Sequence, residues 1–294
     1  MMQESYAEMT WIVGTATPFG YSFALSDTRV TLGNGRHRDC LQKIYPVARY
    51  IAVGFAGSVK IGFDVIEALK ASLYEEDERL AWNPPELIAQ LPSLLQKVFQ
   101  DAAVEEQMNH SHLMLLSTHP TEPAGSPWAR AYLHILKSPN FLPEEIKPHE
   151  VGAIGCHTLS QECVQAIERF AHDPKSHEFL MQGEVGPRGG LGSRLGMMLT
   201  PIIEKAQPDG ISSHLHECWV YRGKILIGTN DHVKLGPWSS WNPGVENAEM
   251  PQVEVVGTPE TPGFAFSMPQ VATSWEQLLK ILESDGSTAV GVVA

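Results

Sequence analysis

Thr10 opens the run "TWIVGTATPFGYSFALSDTR" and directly follows Met9. A threonine hydroxyl is a weak nucleophile and needs a base close by. When threonine is the first residue of a chain, its own α-amine can serve as that base. Methionine before a small residue is normally trimmed, so a chain started at Met9, or cleaved after it, would present Thr10 with a free amine. The chemistry on offer is nucleophilic attack by the Thr10 hydroxyl with its own amine as the base. The alternative for the same residue is an ordinary strand threonine behind a retained segment 1–9.

Other chemistry-bearing patterns are weaker. In "HLHEC", His214, His216 and Cys218 fall on one face of a strand, as a metal-ligand set would. No fourth ligand is evident, and hydrogen-bonded histidines in a partly buried strand are commoner, so no metal is expected. "GEVGPRGGLGSRLG" looks like a phosphate loop but lacks the Gly-Lys-Ser/Thr ending, and nucleotide binding is not expected. Asn109-His110-Ser111 is a glycosylation triplet with meaning only in a secreted chain.

The elements that must position Thr10 are legible as runs and turns. "TWIVGTA" and "YSFALSD" flank "TPFG", where Pro18 and Gly20 mark a reversal. "RYIAVGFAG" is a third β-prone run. Ser58 is placed to cap a helix in which Ile61, Val65, Leu69 and Leu73 recur at four-residue spacing. A second helix is expected through "ELIAQLPSLLQKVFQDAAVEEQ", with Pro92 as an irregularity. "HLMLLST" and "ARAYLHILK" read as strands, "VGAIGCH" as a strand entering a helix at "TLSQECVQAIERFAHD", and "SRLGMMLTPIIEKAQ" as a further helix bent at Pro201. "LHECWVYRGKILIG" reads as a hairpin around Arg222-Gly223. Runs of strands separated by paired helices predict an α+β fold rather than alternating βαβ units.

From 232 onward the composition shifts to "GPWSSWNPG" and "GTPETPG", so residues 10–231 form the expected main domain. Residues 232–294 are then a C-terminal extension packed on the core or on a neighbouring subunit. Within it Thr273-Ser274-Trp275-Glu276 reads as a capping box for a short helix.

Composition narrows the partners. The 294 residues carry a formal net charge of −13, with 43% hydrophobic and 19% charged residues. That acidity and the lack of a basic stripe argue against nucleic acid. No apolar run is long enough to cross a bilayer, and the N-terminus has no basic region followed by an apolar core. Cys40, Cys156, Cys163 and Cys218 form no CxxC pair and are expected to stay reduced. A cytoplasmic protein without membrane partners is the expectation.

"TWIVGTA", "SDTRVTLGN", "QKI" and "VGFAGSVKIGFDVIEAL", with weaker likeness in "GAIGCH" and "PDGISS", resemble in order and spacing the proteasome β-subunit family. The likeness is nearest to the simpler bacterial proteasome-like peptidases and covers roughly residues 10–230. It implies a four-layer αββα sandwich of the N-terminal-nucleophile hydrolase type, here with a C-terminal extension. Thr10 matches the family's nucleophile. Asp27 matches the acid ending the second strand, and Lys43, sixteen residues on, the essential lysine. In such a site the Lys43 ammonium depresses the pKa of the hydroxyl while Asp27 keeps that lysine charged and oriented. Gly57 matches the glycine whose N–H faces the developing oxyanion. Thr31 matches the residue whose main chain pairs with an extended peptide. Phe55 and Val59 shape the substrate pocket in this reading, and Asp209 and Ser212 support the N-terminal amine. The resemblance implies no cofactor. It implies a peptide or unfolded-protein substrate and a homo-oligomeric ring, and it is compatible with an ATPase unfoldase partner that no residue here specifies.

Departures accompany the likeness. Cys156 stands where the family commonly has serine, Met9 where self-processing members have glycine, and Ser213-His214 where glycines usually follow Ser212. Without the resemblance, Asp27 and Lys43 read as a structural ion pair or as unrelated residues, and Asp209 and Ser212 as turn chemistry after Pro208. The rival function is a non-catalytic ring or scaffold subunit with residues 1–9 retained. A third reading is an amidase acting on a small non-peptide amide.

Overall fold

The computed structural model describes residues 10–18, 20–32, 35–48, 50–73, 84–119, 130–148, 150–155, 161–172, 211–212, 215–221, 224–229, 239–241 and 271–284. Strands come first: β1 (Trp11–Ala16), β2 (Tyr21–Asp27), β3 (Arg29–Thr31), β4 (His37–Asp39), β5 (Ile44–Ala48) and β6 (Ile51–Gly57). Helices α1 (Val59–Leu73), α2 (Pro84–Asp101) and α3 (Val104–Gln107) follow. Next are β7 (Ser111–Thr118), β8 (Ala131–Lys137), β9 (Glu144–Ile146), β10 (Gly152–Gly155) and α4 (Gln161–His172). The chain then forms β11 (Leu215–Tyr221), β12 (Lys224–Thr229), β13 (Ser239–Trp241) and α5 (Trp275–Ser284). The fold is α+β with antiparallel sheets. No helix among the described residues is long and apolar enough to cross a membrane.

One sheet runs β10-β1-β2-β11-β12-β13 and the other β5-β6-β7-β8-β9, while β3 and β4 form a separate hairpin. Strand alternation gives each sheet two apolar faces. Ile12, Ala24, Cys218 and Val220 from the first sheet meet Ile44, Ala52, Ala56, Met114 and Leu116 from the second in one buried cluster. The small residues on these facing surfaces let the sheets approach closely. On the far face of the first sheet the Phe23 and Trp219 rings stack at 4.5 Å, with Tyr21 5.3 Å from Trp219.

The far face of the second sheet is covered by helices. Tyr45, Val53, Phe55, Leu113 and Leu115 share a core with Ile61, Val65 and Leu69 of α1 and with Leu91 and Leu95 of α2. Ser58 caps α1, its Oγ accepting the Ile61 N–H at 3.2 Å. Gly62 is required by contact rather than by conformation, since a Cβ there would lie 2.3 Å from the Phe55 ring.

Two local expectations are corrected. The second helix passes through Pro92 without interruption but stops at Asp101, because Ala103 takes an extended ψ of 146° before the separate turn α3. The capping box in the extension sits one residue later than the sequence suggested: Ser274 Oγ accepts the Gln277 N–H, and the Gln277 side chain accepts the Thr273 N–H at 2.9 Å. Helix α4 spans Gln161–His172 among the described residues, with Cys163, Ala166 and Ile167 buried, and the expected entry to it from "VGAIGCH" through Leu159 lies outside them. The helix expected over 193–207 lies outside the described residues, as do Cys156, Asp209 and His214.

Parts of the extension join the core. β13 pairs with β12 through Ile225↔Trp241 and Ile227↔Ser239. Leu278, Ile281 and Leu282 of α5 enter the cluster beneath α1, and the Trp275 ring lies 6.4 Å from that of Phe63. Leu278→Ala is therefore expected to lower the unfolding free energy by about 2–5 kcal/mol in a urea titration. A loss below about 0.5 kcal/mol would mean that α5 is not part of the cooperative unit.

Candidate active site

Thr10 and Asp27 are brought together by the β1–β2 hairpin. The pairing Ile12↔Ser26 sets Trp11 beside Asp27, and the Trp11 N–H donates to Asp27 Oδ1 at 3.1 Å. Lys43 arrives from the other sheet, as the residue before β5. Its ammonium donates to Asp27 Oδ1 at 2.7 Å and reaches Thr10 Oγ1 at 3.4 Å. All three residues are fully buried. The contact between hydroxyl, amine and carboxyl thus exists only where the ends of the two sheets meet.

Asp27 is held from several directions. Its Oδ2 accepts the Arg29 N–H at 3.0 Å and the Ser212 N–H at 3.4 Å. Burial pushes the Asp27 carboxyl up, against the opposing effect of the Lys43 ammonium and the Trp11 and Arg29 N–H groups. Burial likewise pushes the Lys43 amine down, opposed by Asp27. Both shifts bring the two groups closer in proton affinity than they would be in water. A lysine ammonium so placed can donate to the neighbouring hydroxyl oxygen as it loses its proton, with the carboxyl holding the ammonium in position.

Two residues that the sequence reading did not single out complete this network. Asp39, at the end of β4, accepts two hydrogen bonds from the Arg29 guanidinium, at 2.7 and 3.2 Å. It also accepts the Ser212 hydroxyl at 2.8 Å. The Arg29 guanidinium is held above its usual range, chiefly by that bond to Asp39. Arg29 follows Asp27 closely in "SDTR", which was a local signal. Asp39 carried none, because its partners lie 10 and 173 residues away.

Ser212 therefore reaches the site, with its backbone on Asp27 and its hydroxyl on Asp39. Gly57 ends β6 with φ +102°, and a Cβ there would lie 2.6 Å from the His110 carbonyl oxygen. A side chain is excluded by both conformation and space. Thr31 ends β3, where its hydroxyl is 3.1 Å from His37 Nδ1. Phe55, on β6, and Val59, the first residue of α1, are fully buried in the core between the second sheet and the helices, in the same cluster as Tyr45 and Phe63, and line no exposed pocket surface among the described residues. Asp209 lies outside the described residues. Gly155 emerges as a further constraint: it has φ +88°, and a Cβ would fall 1.9 Å from the Thr10 carbonyl oxygen.

His216 and Cys218 are buried on β11, and burial pushes the Cys218 thiol strongly up, so it remains protonated. Among the described residues no group of three His, Cys, Asp or Glu side chains is arranged to hold a metal ion.

The ion pair has a measurable signature independent of any activity. Lys43→Met leaves a buried carboxyl without its cation and is expected to cost about 3–5 kcal/mol of stability, whereas Asp27→Asn combined with Lys43→Met recovers much of that loss. Chemical denaturation of the two single variants and the double variant measures this; strictly additive losses would exclude direct coupling. No protein-family model matches the chain, and no curated protein matches it in sequence, so its functional reading rests on the residues and geometry themselves.

Proposed function

We propose that this chain is a threonine peptidase of the proteasome β-subunit type, with the four-layer αββα architecture of N-terminal-nucleophile hydrolases. The observation that carries this reading is Lys43 Nζ standing 3.4 Å from Thr10 Oγ1 and 2.7 Å from Asp27 Oδ1 in a fully buried setting. In the mature enzyme Thr10 is the first residue. Its α-amine takes the hydroxyl proton as Oγ1 attacks the scissile carbonyl carbon, while the Lys43 ammonium, kept charged and oriented by Asp27, stabilises the developing alkoxide. The Gly57 N–H donates to the oxyanion. Collapse of the tetrahedral adduct breaks the C–N bond, and the amine transfers its proton to the leaving nitrogen. Water then attacks the Thr10 ester, releasing the acyl product and restoring the hydroxyl.

The substrate is a peptide or unfolded protein that adds as a strand along β3 at Thr31. Among the described residues β3 is paired only with β4, so its other edge has main-chain groups to offer. Ser212, held by Asp39, braces Asp27 from behind. The reading includes a cytoplasmic homo-oligomeric ring that encloses these sites and needs no cofactor. An ATPase unfoldase would feed such a ring.

One observation favours a second reading. Thr10 is fully buried in the 294-residue chain that carries residues 1–9. A nucleophile must be reached by substrate, so a chain that keeps residues 1–9 fits a non-catalytic ring or scaffold subunit.

The first test is the intact mass of the protein from its native host, with N-terminal sequencing. The enzyme reading expects a chain beginning Thr10-Trp11-Ile12 and covalent labelling of Thr10 by a threonine-directed lactone. Lys43→Ala is expected to slow that labelling by about 100-fold or more. An assembled chain that keeps residues 1–9 lacks the free amine, and the scaffold reading then stands. Labelling should also follow a bell in pH. Its acid limb reports the α-amine, at about pH 8 in an unperturbed chain. Its alkaline limb reports loss of the Lys43 proton below the ordinary lysine value of 10.5. Lys43→Arg should remove that alkaline limb at a reduced plateau, because a guanidinium does not deprotonate there.

A further inference from the structure

Lys43 sits at the end of a short segment, residues 40–43, that belongs to no strand of either sheet. Its position depends on what holds that segment's backbone. The Cys40 and Leu41 N–H groups both donate to the Thr28 carbonyl at 3.0 Å, tying the segment to the β2–β3 junction. The Tyr45 hydroxyl donates to the Gln42 carbonyl at 2.6 Å, and the Phe55 N–H donates to the Lys43 carbonyl at 3.1 Å. The remaining tie comes from the other end of the sequence. The Ala272 N–H donates to the Cys40 carbonyl at 2.7 Å, and the Gln42 N–H donates to the Ala272 carbonyl at 3.1 Å. These bonds make a single parallel bridge between Leu41 and Ala272.

The bridge is isolated but not loose. Leu41 and Ala272 are both fully buried. Directly after Ala272 the chain turns through the capped start of α5, whose Leu278, Ile281 and Leu282 share a core with Leu41, Val59 and Phe63. Helix α5 thus anchors Ala272 against the same apolar cluster that contains Leu41, two residues before Lys43. A buried two-bond bridge beside an ion pair whose geometry must hold to a few tenths of an ångström is a positioning device rather than a surface attachment.

We infer that Ala272, anchored by α5, is a positioning residue for Lys43: the C-terminal segment 271–284 holds the Lys43-bearing backbone so that the ammonium spans Asp27 and Thr10. The inference rests on the reading of Lys43 as a site residue for its catalytic meaning, but the structural link can be tested without activity. Release of the bridge lets residues 40–43 move, exposes the Lys43 amine and withdraws it from the Thr10 hydroxyl.

The experiment reads Lys43 directly. Folded full-length protein is treated with formaldehyde and cyanoborohydride, and methylation of Lys43 is followed by peptide mass spectrometry, with Lys60 and Lys70 as exposed references. Ala272→Pro removes the N–H that serves the Cys40 carbonyl, and it should raise the rate of Lys43 methylation by about tenfold, as expected from leaving one buried carbonyl unpaired. Methylation of the two references should not change. Because this variant could unfold, native-state hydrogen exchange of the unaltered protein in low denaturant provides the second measurement. The amides of Gln42, Ala272 and Leu278 should open together, and Lys43 methylation should show the same denaturant dependence. Lys43 staying protected while the Ala272 and Leu278 amides exchange, or in a folded Ala272→Pro variant, would overturn the inference. If Thr10 is also labelled by lactone in the unaltered protein, Ala272→Pro should slow that labelling and shift its pH profile, which a general loss of stability would not do. Absence of Thr10 labelling in the unaltered protein would count against the peptidase reading alone and leave the methylation result to decide the link.

Discussion

A lysine ammonium and an aspartate carboxylate buried side by side, with neither reaching solvent, are the constraint to which the rest of this structure answers. Removing two charges from water costs several kcal/mol each unless close geometry and further hydrogen bonds compensate. Here the compensation comes from the backbone. Asp27 takes N–H groups from Trp11, Arg29 and Ser212 in addition to Lys43, and those donors come from β1 of the first sheet, from β3 of the separate hairpin and from residue 212, far along the chain. The pair forms only if the β1–β2 hairpin, the start of β5 and residue 212 all converge.

That convergence follows from how the sheets pack. Ile12 and Ile44 lie in the same inter-sheet cluster, and they are the near neighbours of Thr10 and Lys43 in sequence. The apolar contact that joins the sheets therefore also sets the separation of the polar groups at their ends. Glycines are needed at this junction for reasons of space. Gly155 makes room for the Thr10 carbonyl and Gly57 for the His110 carbonyl, both at positive φ. A side chain at either position would displace the backbone carrying the polar groups.

A second tier of polar contacts surrounds the pair. Asp39 joins Arg29 and Ser212, which both donate to Asp27 through their main chains. Ala272 joins the segment that ends in Lys43. In each case a residue that touches neither the hydroxyl nor the ammonium limits the freedom of one that does. A buried polar network tolerates few loose members, since an unpaired group in a low-dielectric interior costs far more than one at the surface. The extension beyond residue 232 is on this view structurally continuous with the site through α5 and Ala272.

By itself the sequence determined the features that depend on neighbours along the chain. The turn at Pro18–Gly20, the cap at Ser58 and the four-residue spacing of Ile61, Val65, Leu69 and Leu73 encode their elements locally, and the structure contains them. The residue types of Thr10, Asp27 and Lys43, and their spacing, were also legible. Where local signals competed, the reading slipped: Ala102-Ala103 favours helix by propensity yet the chain breaks there, and two adjacent hydroxyl residues, Thr273 and Ser274, obscured which one caps α5. Only the tertiary structure decided that Lys43 reaches Asp27 and Thr10 from the opposite sheet, that Ser212 bonds to Asp39, that Phe55 and Val59 are core residues, and that Ala272 pairs beside Leu41. These contacts join residues that are mostly far apart in the chain. Periodicity and capping report the path of the backbone over a few residues, whereas such contacts are set by the packing of whole sheets.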